Sequence, residues 1–481
     1  MNFSIVKRTL GWLLLFEGMF FLLPLLTAVI YWEEEFFSFL IAIVICGGLG
    51  GLCLIKKPEN TSIYAKEGFV IVAMSWIVMS LFGALPFFFS GAIPSYTDAL
   101  FETVSGFTTT GATILQGHEV EGMAKSLLLW RSFTHWVGGM GVLVLIMAFL
   151  PLSGARNMHI MKAESPGPTV GKLVPKVRQT ALILYAIYFG LTVVQFILLV
   201  CGGMPVFDSL NTAFATAGTG GFAIKSDGMA GYNSYLQIVV TVFMLLFSLN
   251  FNSYYLLGRG KFKEAFNAEI RVFLLVVFSA IALITLNLCL AEYGYSVGEA
   301  IKHAAFSVAS VISTTGFATE DFNLWPSFSK TILVLLMFIG ACAGSTGGGM
   351  KVSRHIILAK GGMHEVGRLI HPKQVKKITV DKRVVEHEVV RSVNAYLVAY
   401  ILIFVVSLLL ISIEGHDLTT SFTSVVTTLN NVGPGLEKVG PTGNFAFFTD
   451  WSKFVFIFDM LAGRLEIFPM LVLFAPSTWR R

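Results

Sequence analysis

The nine residues SGFTTTGAT at 105–113 decide the fold, because related glycine-containing turns recur three more times along the chain. The other turns are ATAGTGGF at 215–222, VISTTGFA at 311–318 and LNNVGPG at 429–435. Each turn follows a short, moderately apolar segment, at 97–108, 207–217, 299–313 and 417–429. The central glycines are separated by 110, 95 and 117 residues, and they are Gly111, Gly221, Gly316 and Gly433. This spacing indicates a fourfold internal repeat.

The composition excludes a soluble protein. Hydrophobic residues make up 55% of the 481 residues and charged residues only 13%, whereas soluble domains carry about 25% charged residues. Ten apolar segments approach the ~20 residues that a membrane-spanning helix needs. They lie at 11–31, 36–55, 69–90, 126–150, 179–201, 235–258, 271–291, 330–350, 391–413 and 452–475. The prediction is an all-α polytopic membrane protein whose four short segments are too short to cross.

The lysines and arginines predict the orientation. They are concentrated in the connections that follow the even-numbered spans, above all 151–178 and 351–391. Since basic loops stay in the cytoplasm, both termini should be cytoplasmic and the short segments should dip in from outside. Basic residues spread between apolar segments also argue against nucleic-acid binding. Lys125 and Arg131, near the outer face, are expected to reach lipid head groups.

The turns have a specific physical use. Irregular backbone at membrane depth is tolerated only where it is buried in protein or lines a cavity. Four such turns around one axis would present rings of carbonyl oxygens, which can replace the water shell of a monovalent cation. Asp98, Asp208, Glu299 and Asp417 fall at the starts of the short segments, where they could cap helices or attract cations. The alternative reading of each turn alone is close helix packing by small residues.

Two further features stand out near the end of the chain. Residues 340–351, GACAGSTGGGMK, should break the helix of the span 330–350. They could form a flexible loop that obstructs a pore, or they could be small residues that pack helices tightly. Arg464 lies within the last predicted span, where a charge costs at least ~2.5–3.5 kcal/mol. It should therefore face water, the pore or a charged partner on another helix.

The chain resembles the Trk/Ktr/HKT superfamily of potassium transporters, most closely its bacterial TrkH branch. The resemblance is carried by the four turns, by residues 340–351 and by GRLE at 463–466. The resemblance implies four membrane-pore-membrane repeats, a homodimer, and a cytoplasmic partner that is a TrkA-type ring of nucleotide-binding regulatory subunits. It implies that potassium is bound in a selectivity filter by backbone carbonyls of Thr109, Thr110, Gly111, Thr219, Gly220, Gly221, Thr314, Thr315, Gly316, Asn431, Val432 and Gly433. It further implies a gate made of Gly344, Ser345, Thr346, Gly347, Gly348, Gly349 and Arg464. Sodium-selective plant relatives carry Ser at the first central glycine, so Gly111 favours potassium.

These considerations divide the chain into five parts: 1–66 as two N-terminal helices and 67–178, 179–270, 271–390 and 391–481 as the four repeats. The predicted function is potassium uptake across the bacterial inner membrane, either passive or coupled to protons. A symporter with inverted halves is disfavoured by four repeats of one direction. An intramembrane enzyme is disfavoured because no motif of catalytic or metal-binding residues lies in a span.

Overall fold

Helices dominate the computed structural model, which describes residues 1–56, 64–141, 177–291, 294–372 and 377–480. The end of the fourth predicted span, 142–150, and most of the basic connection 151–178 lie outside the described residues. Six apolar stretches in the described part are long enough to cross a membrane. They are Phe3–Phe20 with Leu22–Tyr31, Phe36–Leu54, Ala65–Gly83 with Leu85–Phe89, Val177–Cys201, Ala268–Leu290 and His387–Ser412. The prediction of an all-α polytopic membrane protein is confirmed.

Taken singly, the remaining helices are too short or too polar to count as spans. The other α-helices are Gly117–Gly122, Lys125–Gly139, Ser234–Ser248, Phe251–Gly258, Phe262–Ala265, Ser327–Ile339, Val352–Ile370, Asp450–Arg464, Phe468–Phe474 and Pro476–Trp479, with 3-10 turns at Phe322–Leu324 and Glu437–Val439. One antiparallel hairpin pairs Thr379–Val380 with Arg383–Val384. We call this element, residues 379–384, the hairpin.

Four short helices occupy the positions predicted for them. They are Tyr96–Phe107, Val206–Gly218, Val297–Ile312 and Leu418–Leu429, within two residues of the predicted bounds at each end. Side chains of Ser95, Ser296 and Asp417 cap three of them by accepting backbone N–H groups of the first turn. The hydrogen bonds that it accepts from Thr420 hold the pKa of Asp417 below its ordinary value. The acidic residues at these starts therefore act at least as helix caps or first-turn charges.

Three predicted spans are interrupted, which corrects the simple count of ten. The span 235–258 bends by 92° between Ser234–Ser248 and Phe251–Gly258. The span 330–350 is helical only to Ile339, and the span 452–475 breaks after Arg464, where Glu466 and Ile467 have positive φ. Each break frees backbone groups that other segments must satisfy. The break in the span 330–350 is the one that the glycines of 340–351 predict, and it is confirmed. Apolar length could not reveal the other two breaks, because the compensating groups are far away in sequence.

The N-terminal helices pack closely against each other through glycine. A Cβ atom on Gly50 would lie 2.9 Å from the carbonyl oxygen of Gly11. Glu33, at the turn between these helices, accepts the backbone N–H groups of Lys125 and Ser126 at 2.7 and 3.0 Å. The ammonium of Lys125 lies 3.9 Å above the Tyr31 ring. Since Lys125 is exposed, its contact with lipid head groups stays a prediction. The N-terminal pair is therefore fastened to the first repeat.

A valine at Gly50 should force the two N-terminal helices apart, because its side chain would overlap Gly11 and Leu15. We expect a loss of about 1–3 kcal/mol, as for other overpacked sites, measured as a lower melting temperature in detergent. Gly48→Val is the matched control, since an added Cβ there meets nothing within 4 Å. Equal melting temperatures of the two variants would contradict this packing.

Candidate functional site

All four short helices end in the same way. In each turn, the residue two before the central glycine donates its N–H to the carbonyl three residues back, and the next residue donates to the carbonyl five residues back. In the first turn these donors are Thr109 and Thr110, with N–O distances of 3.1 and 2.9 Å. This pair of bonds is the Schellman motif that terminates helices. The N–H groups of the turns are thus consumed by the helix ends.

The Schellman motif requires a left-handed residue, and here that residue is not glycine. Thr109, Thr219, Thr314 and Asn431 have φ values of 55, 57, 60 and 55°. Asn tolerates this conformation, whereas for β-branched Thr it is an outlier of the kind that costs about 1–3 kcal/mol. Two residues later, the central glycines again have positive φ, between 75 and 95°. The same backbone conformation is therefore built four times, with strain at the three threonines.

The four turns form one closed ring. A Cβ atom placed on any central glycine would lie within 2.7 Å of a carbonyl oxygen in the next turn. The pairs run in cyclic order: Gly111 with Gly220, Gly221 with Thr315, Gly316 with Val432, and Gly433 with Thr110. The last pair returns to the first turn. Sequence order is thus also the order around the ring, and no side chain fits at the central positions.

The ring leaves twelve carbonyl groups without a hydrogen-bond donor in the described part of the chain. They belong to Thr109, Thr110, Gly111, Thr219, Gly220, Gly221, Thr314, Thr315, Gly316, Asn431, Val432 and Gly433. More than nine in ten buried backbone groups have a partner in ordinary proteins. A cluster of bare carbonyl oxygens is therefore a site for a ligand that accepts electron pairs, such as a cation.

Side chains behind the ring hold adjacent turns together. The amide of Asn431 donates to the Thr110 hydroxyl and to the Met460 carbonyl, both at 2.9 Å. The Thr108 and Thr110 hydroxyls lie 2.8 Å apart, and those of Ser313 and Thr315 lie 2.6 Å apart. Because these groups are fully buried, they bond to each other and leave the backbone carbonyls to the axis of the ring.

A buried ion pair, which sequence analysis missed, connects the first two turns. Arg131 donates to Glu102 at 2.6 Å, and both side chains are almost inaccessible. Glu102 also accepts the Ile114 N–H at 3.1 Å, while Arg131 donates to the Ala223 carbonyl at 2.9 Å. The expectation that Arg131 reaches lipid is therefore wrong. The sequence does carry a signal for this ion pair, because Glu102 and Arg131 are oppositely charged residues within apolar segments of the same repeat.

His135 performs a similar joining role. Its Nδ1 lies 2.7 Å from the Gly106 carbonyl oxygen of the first repeat, and its Nε2 accepts the Phe222 N–H of the second turn at 3.3 Å. Gly220 leaves room for the imidazole of His135, since an added Cβ there would overlap it, and Gly218 leaves room for the His135 backbone carbonyl. The histidine is a polar residue at the interface between two repeats.

Residues 340–351 form an irregular loop directly beneath the third and fourth turns. The Gly348 N–H donates to the Thr314 hydroxyl at 2.6 Å, and the Gly349 N–H donates to the Asn430 carbonyl at 3.0 Å. On its other side the loop is hydrogen-bonded to the bend in 234–258. The Cys342 N–H donates to the Ser248 carbonyl, and the Phe251 N–H donates to the Gly344 carbonyl. The broken helix and the loop thus satisfy each other's backbone.

Arg464 joins this loop to the first repeat. Its guanidinium donates to the Thr346 carbonyl at 2.7 Å and to the Gly138 and Gly139 carbonyls at 2.6 Å. The neighbouring Glu466 pairs with Arg354 of the helix that follows the loop. Arg464 therefore connects the loop to the C-terminal end of the helix Lys125–Gly139 through backbone carbonyls.

Two cavities lie on either side of the ring and loop. One of about 630 Å³, the ring-side cavity, is lined by all four central glycines. The other, of about 1090 Å³, is the loop-side cavity, and its lining includes Arg464 and the loop residues Gly344, Ser345, Gly347, Gly348 and Gly349. Thr346 of the loop is fully buried. A straight path between the cavities would have to pass the ring and then the loop.

Comparison with known proteins identifies the family. The family profile of TrkH, described as a cation transport protein, matches residues 35–481. The chain belongs to the TrkH family. Membership of this cation-transporter family confirms the predicted resemblance and the prediction that the protein is not an enzyme.

Individual members of the TrkH family match over the full length. The Trk system potassium uptake protein TrkH of Salmonella typhimurium is 37% identical over 487 residues, covering all of both chains. The Trk system potassium uptake protein TrkG of Escherichia coli is 33% identical and covers 99% of this chain and 98% of its own. The crystal structure of the potassium transporter TrkH from Vibrio parahaemolyticus superimposes with a TM-score of 0.89 at 33% identity, and each chain is covered completely.

Replacing Glu102 by glutamine should destabilise this TrkH-family protein, because Arg131 would keep its charge in a buried site without a counterion. Breaking a buried pair on one side costs about 3–5 kcal/mol, and we expect a correspondingly lower melting temperature in detergent. The double variant Glu102→Gln with Arg131→Met should recover part of the loss. Glu365→Ala, which breaks the exposed pair with Arg368, serves as the control and should change little.

Proposed function

We propose that the protein takes up potassium across the bacterial inner membrane through a selectivity filter made of the twelve carbonyls of the ring. The observation that carries this proposal is that none of these carbonyls receives a hydrogen bond in the described residues. Carbonyl oxygens around an axis can replace the hydration shell of a monovalent cation. The names of the full-length relatives, Trk system potassium uptake proteins, point to the same ion.

The electrostatics of the ring favour a cation. All four short helices end at the ring, so the negative ends of their dipoles lie beside the carbonyls. Glycine at all four central positions permits the close approach of adjacent turns and, by resemblance to the family, favours potassium over sodium. The fourth turn lacks threonine, so the filter has only approximate fourfold symmetry.

The loop 340–351 and Arg464 form the proposed gate. The loop residues Gly344, Ser345, Thr346, Gly347, Gly348 and Gly349 lie between the ring and the loop-side cavity, and Arg464 holds Thr346 there by a charge-assisted hydrogen bond. A guanidinium in this path also repels a cation. In the proposed transport cycle, the loop withdraws and Arg464 releases its carbonyl partners.

The remaining parts of the proposal concern organisation. The division into 1–66 and the repeats 67–178, 179–270, 271–390 and 391–481 follows the four short helices and their turns. With both termini in the cytoplasm, the ring-side cavity opens outward and the loop-side cavity inward. We further propose a homodimer, as the resemblance to the family implies. A TrkA-type nucleotide-binding subunit would dock on its cytoplasmic face, where the sequence places the basic connections 151–178 and 351–391.

Reconstitution of the pure protein in lipid vesicles tests the function. We expect rubidium, a potassium analogue, to enter faster than sodium when either gradient is imposed. Repeating the assay with an added proton gradient separates passive flux from proton-coupled flux. If neither cation moves, with or without the regulatory partner, potassium transport is refuted.

Serine at Gly316 should lower the discrimination between potassium and sodium. Its φ of 85° is unfavourable for serine, and an added Cβ would lie 2.5 Å from the Val432 carbonyl oxygen, so the third and fourth turns must move apart. The ratio of rubidium to sodium flux measures the effect. Gly298→Ser, in the same repeat where an added Cβ meets nothing within 4 Å, is the control. An unchanged ratio in folded Gly316→Ser protein would count against a four-turn filter.

Glutamine at Arg464 should raise rubidium flux in the absence of a regulatory partner. The loop would lose the charge-assisted bond to Thr346, and a bond of this kind is worth roughly a tenfold change in an equilibrium. Vesicle flux at equal protein content gives the measurement. Arg259→Gln, at an exposed arginine, is the control, and equal flux from the two variants would argue against a gate at Arg464.

A further inference from the structure

The first turn of the helix Ala268–Leu290 contacts both ends of the loop 340–351. Glu269 lies in this turn and is buried, with 8% of its surface exposed. Its Oε1 accepts the N–H of Ala343, near the start of the loop, at 2.7 Å, and the N–H of Ser353, just after its end, at 3.1 Å. One carboxylate oxygen therefore ties together two points that are ten residues apart in the chain.

Capping of its own helix does not explain Glu269. Asn267 already caps this helix by accepting the Ile270 N–H at 3.0 Å, and the two donors of Glu269 come from other segments. Lys351, which is buried at the end of the loop, donates from its ammonium to the Gly347 carbonyl within the loop. Glu269 thus acts on the loop rather than on the helix that carries it.

The hairpin also contacts the first turn of the helix Ala268–Leu290. Asp381, at its tip, accepts the Ala268 N–H at 2.9 and 3.0 Å and pairs with Arg271 at 2.9 Å. Asp381 and Lys382 both have positive φ, as a two-residue type I′ turn requires. Lys360, on the helix that follows the loop, donates to the Thr379 carbonyl at 2.7 Å. The hairpin therefore contacts both helices that Glu269 connects.

We propose that Glu269 is a positioning residue that clamps both ends of the loop 340–351, and that the hairpin holds this clamp in place through Asp381. The proposal rests on the proposed gate. Withdrawal of the loop requires Ala343 or Ser353 to leave Glu269. A movement of the hairpin would pull on Ala268, which precedes Glu269 directly, so the hairpin is the point at which a cytoplasmic event reaches the gate.

The native cysteine in the loop reports on the clamp. Cys342 is buried and adjoins Ala343, so its reaction with a small methanethiosulfonate reagent measures how often the loop opens. Alanine replaces Cys46, Cys53, Cys201 and Cys289 in the full-length protein, which leaves Cys342 as the single thiol. In this background Glu269→Gln should react about tenfold faster, because the two N–H groups lose a charged acceptor.

Two variants separate the clamp from a general loss of structure. Asp381→Asn, on the partly exposed hairpin, leaves the buried carboxylate intact and should accelerate Cys342 modification by a smaller factor. Glu264→Gln, at an exposed glutamate paired only with Lys261 in the described residues, should react at the rate of the parent. Faster modification in both Glu269→Gln and Asp381→Asn supports the clamp.

Rubidium flux in the same vesicles keeps this inference apart from the proposed function. If the parent protein moves rubidium and Cys342 reacts at the parent rate in both variants, the clamp is overturned while the transport function stands. If the parent moves neither rubidium nor sodium, the proposed function fails, whatever the thiol rates.

Discussion

A buried backbone carbonyl needs a partner, and the arrangement of the four turns follows from twelve carbonyls that lack one among the residues that the structure describes. Each short helix ends in a Schellman motif that consumes the N–H groups of the following turn. The carbonyls of the turn cannot be satisfied in the same way. Bringing four such turns into a ring concentrates electron-rich oxygens, and this concentration is the basis of the proposed potassium site.

The strain of this arrangement is supported from behind. Threonine at positive φ is unfavourable, so the surrounding contacts must determine the backbone. Glu102 and Arg131 fasten the first turn to the second, His135 does so a second time, and Asn431 reaches from the fourth turn to the first. These polar groups bond to each other or to the backbone outside the ring. The same residues that stabilise the ring thus leave its carbonyls uncompensated.

The sequence predicts those parts of the structure that local chemistry repeats. The four turns, the short helices and the special backbone at the central glycines could be read because each carries its own signal. The order of the turns around the ring, the Glu102–Arg131 pair and the contacts of Glu269 could not, since they join residues that are distant in the chain. The 92° bend near Leu249 was hidden for a related reason. No proline marks it, and the groups that compensate it lie in the loop 340–351.

The ring has a consequence that a pore assembled from identical subunits does not share. Because one polypeptide supplies all four turns, a single codon change alters one quarter of the circumference and leaves the other three quarters untouched. The fourth turn, with Asn-Val-Gly-Pro in place of the threonine pattern, is such a divergent quarter. Likewise, only the third repeat supplies the loop 340–351, so the proposed gate would close the axis from one side. If the proposed filter and gate are right, evolution can adjust ion preference and closure in separate segments of the gene.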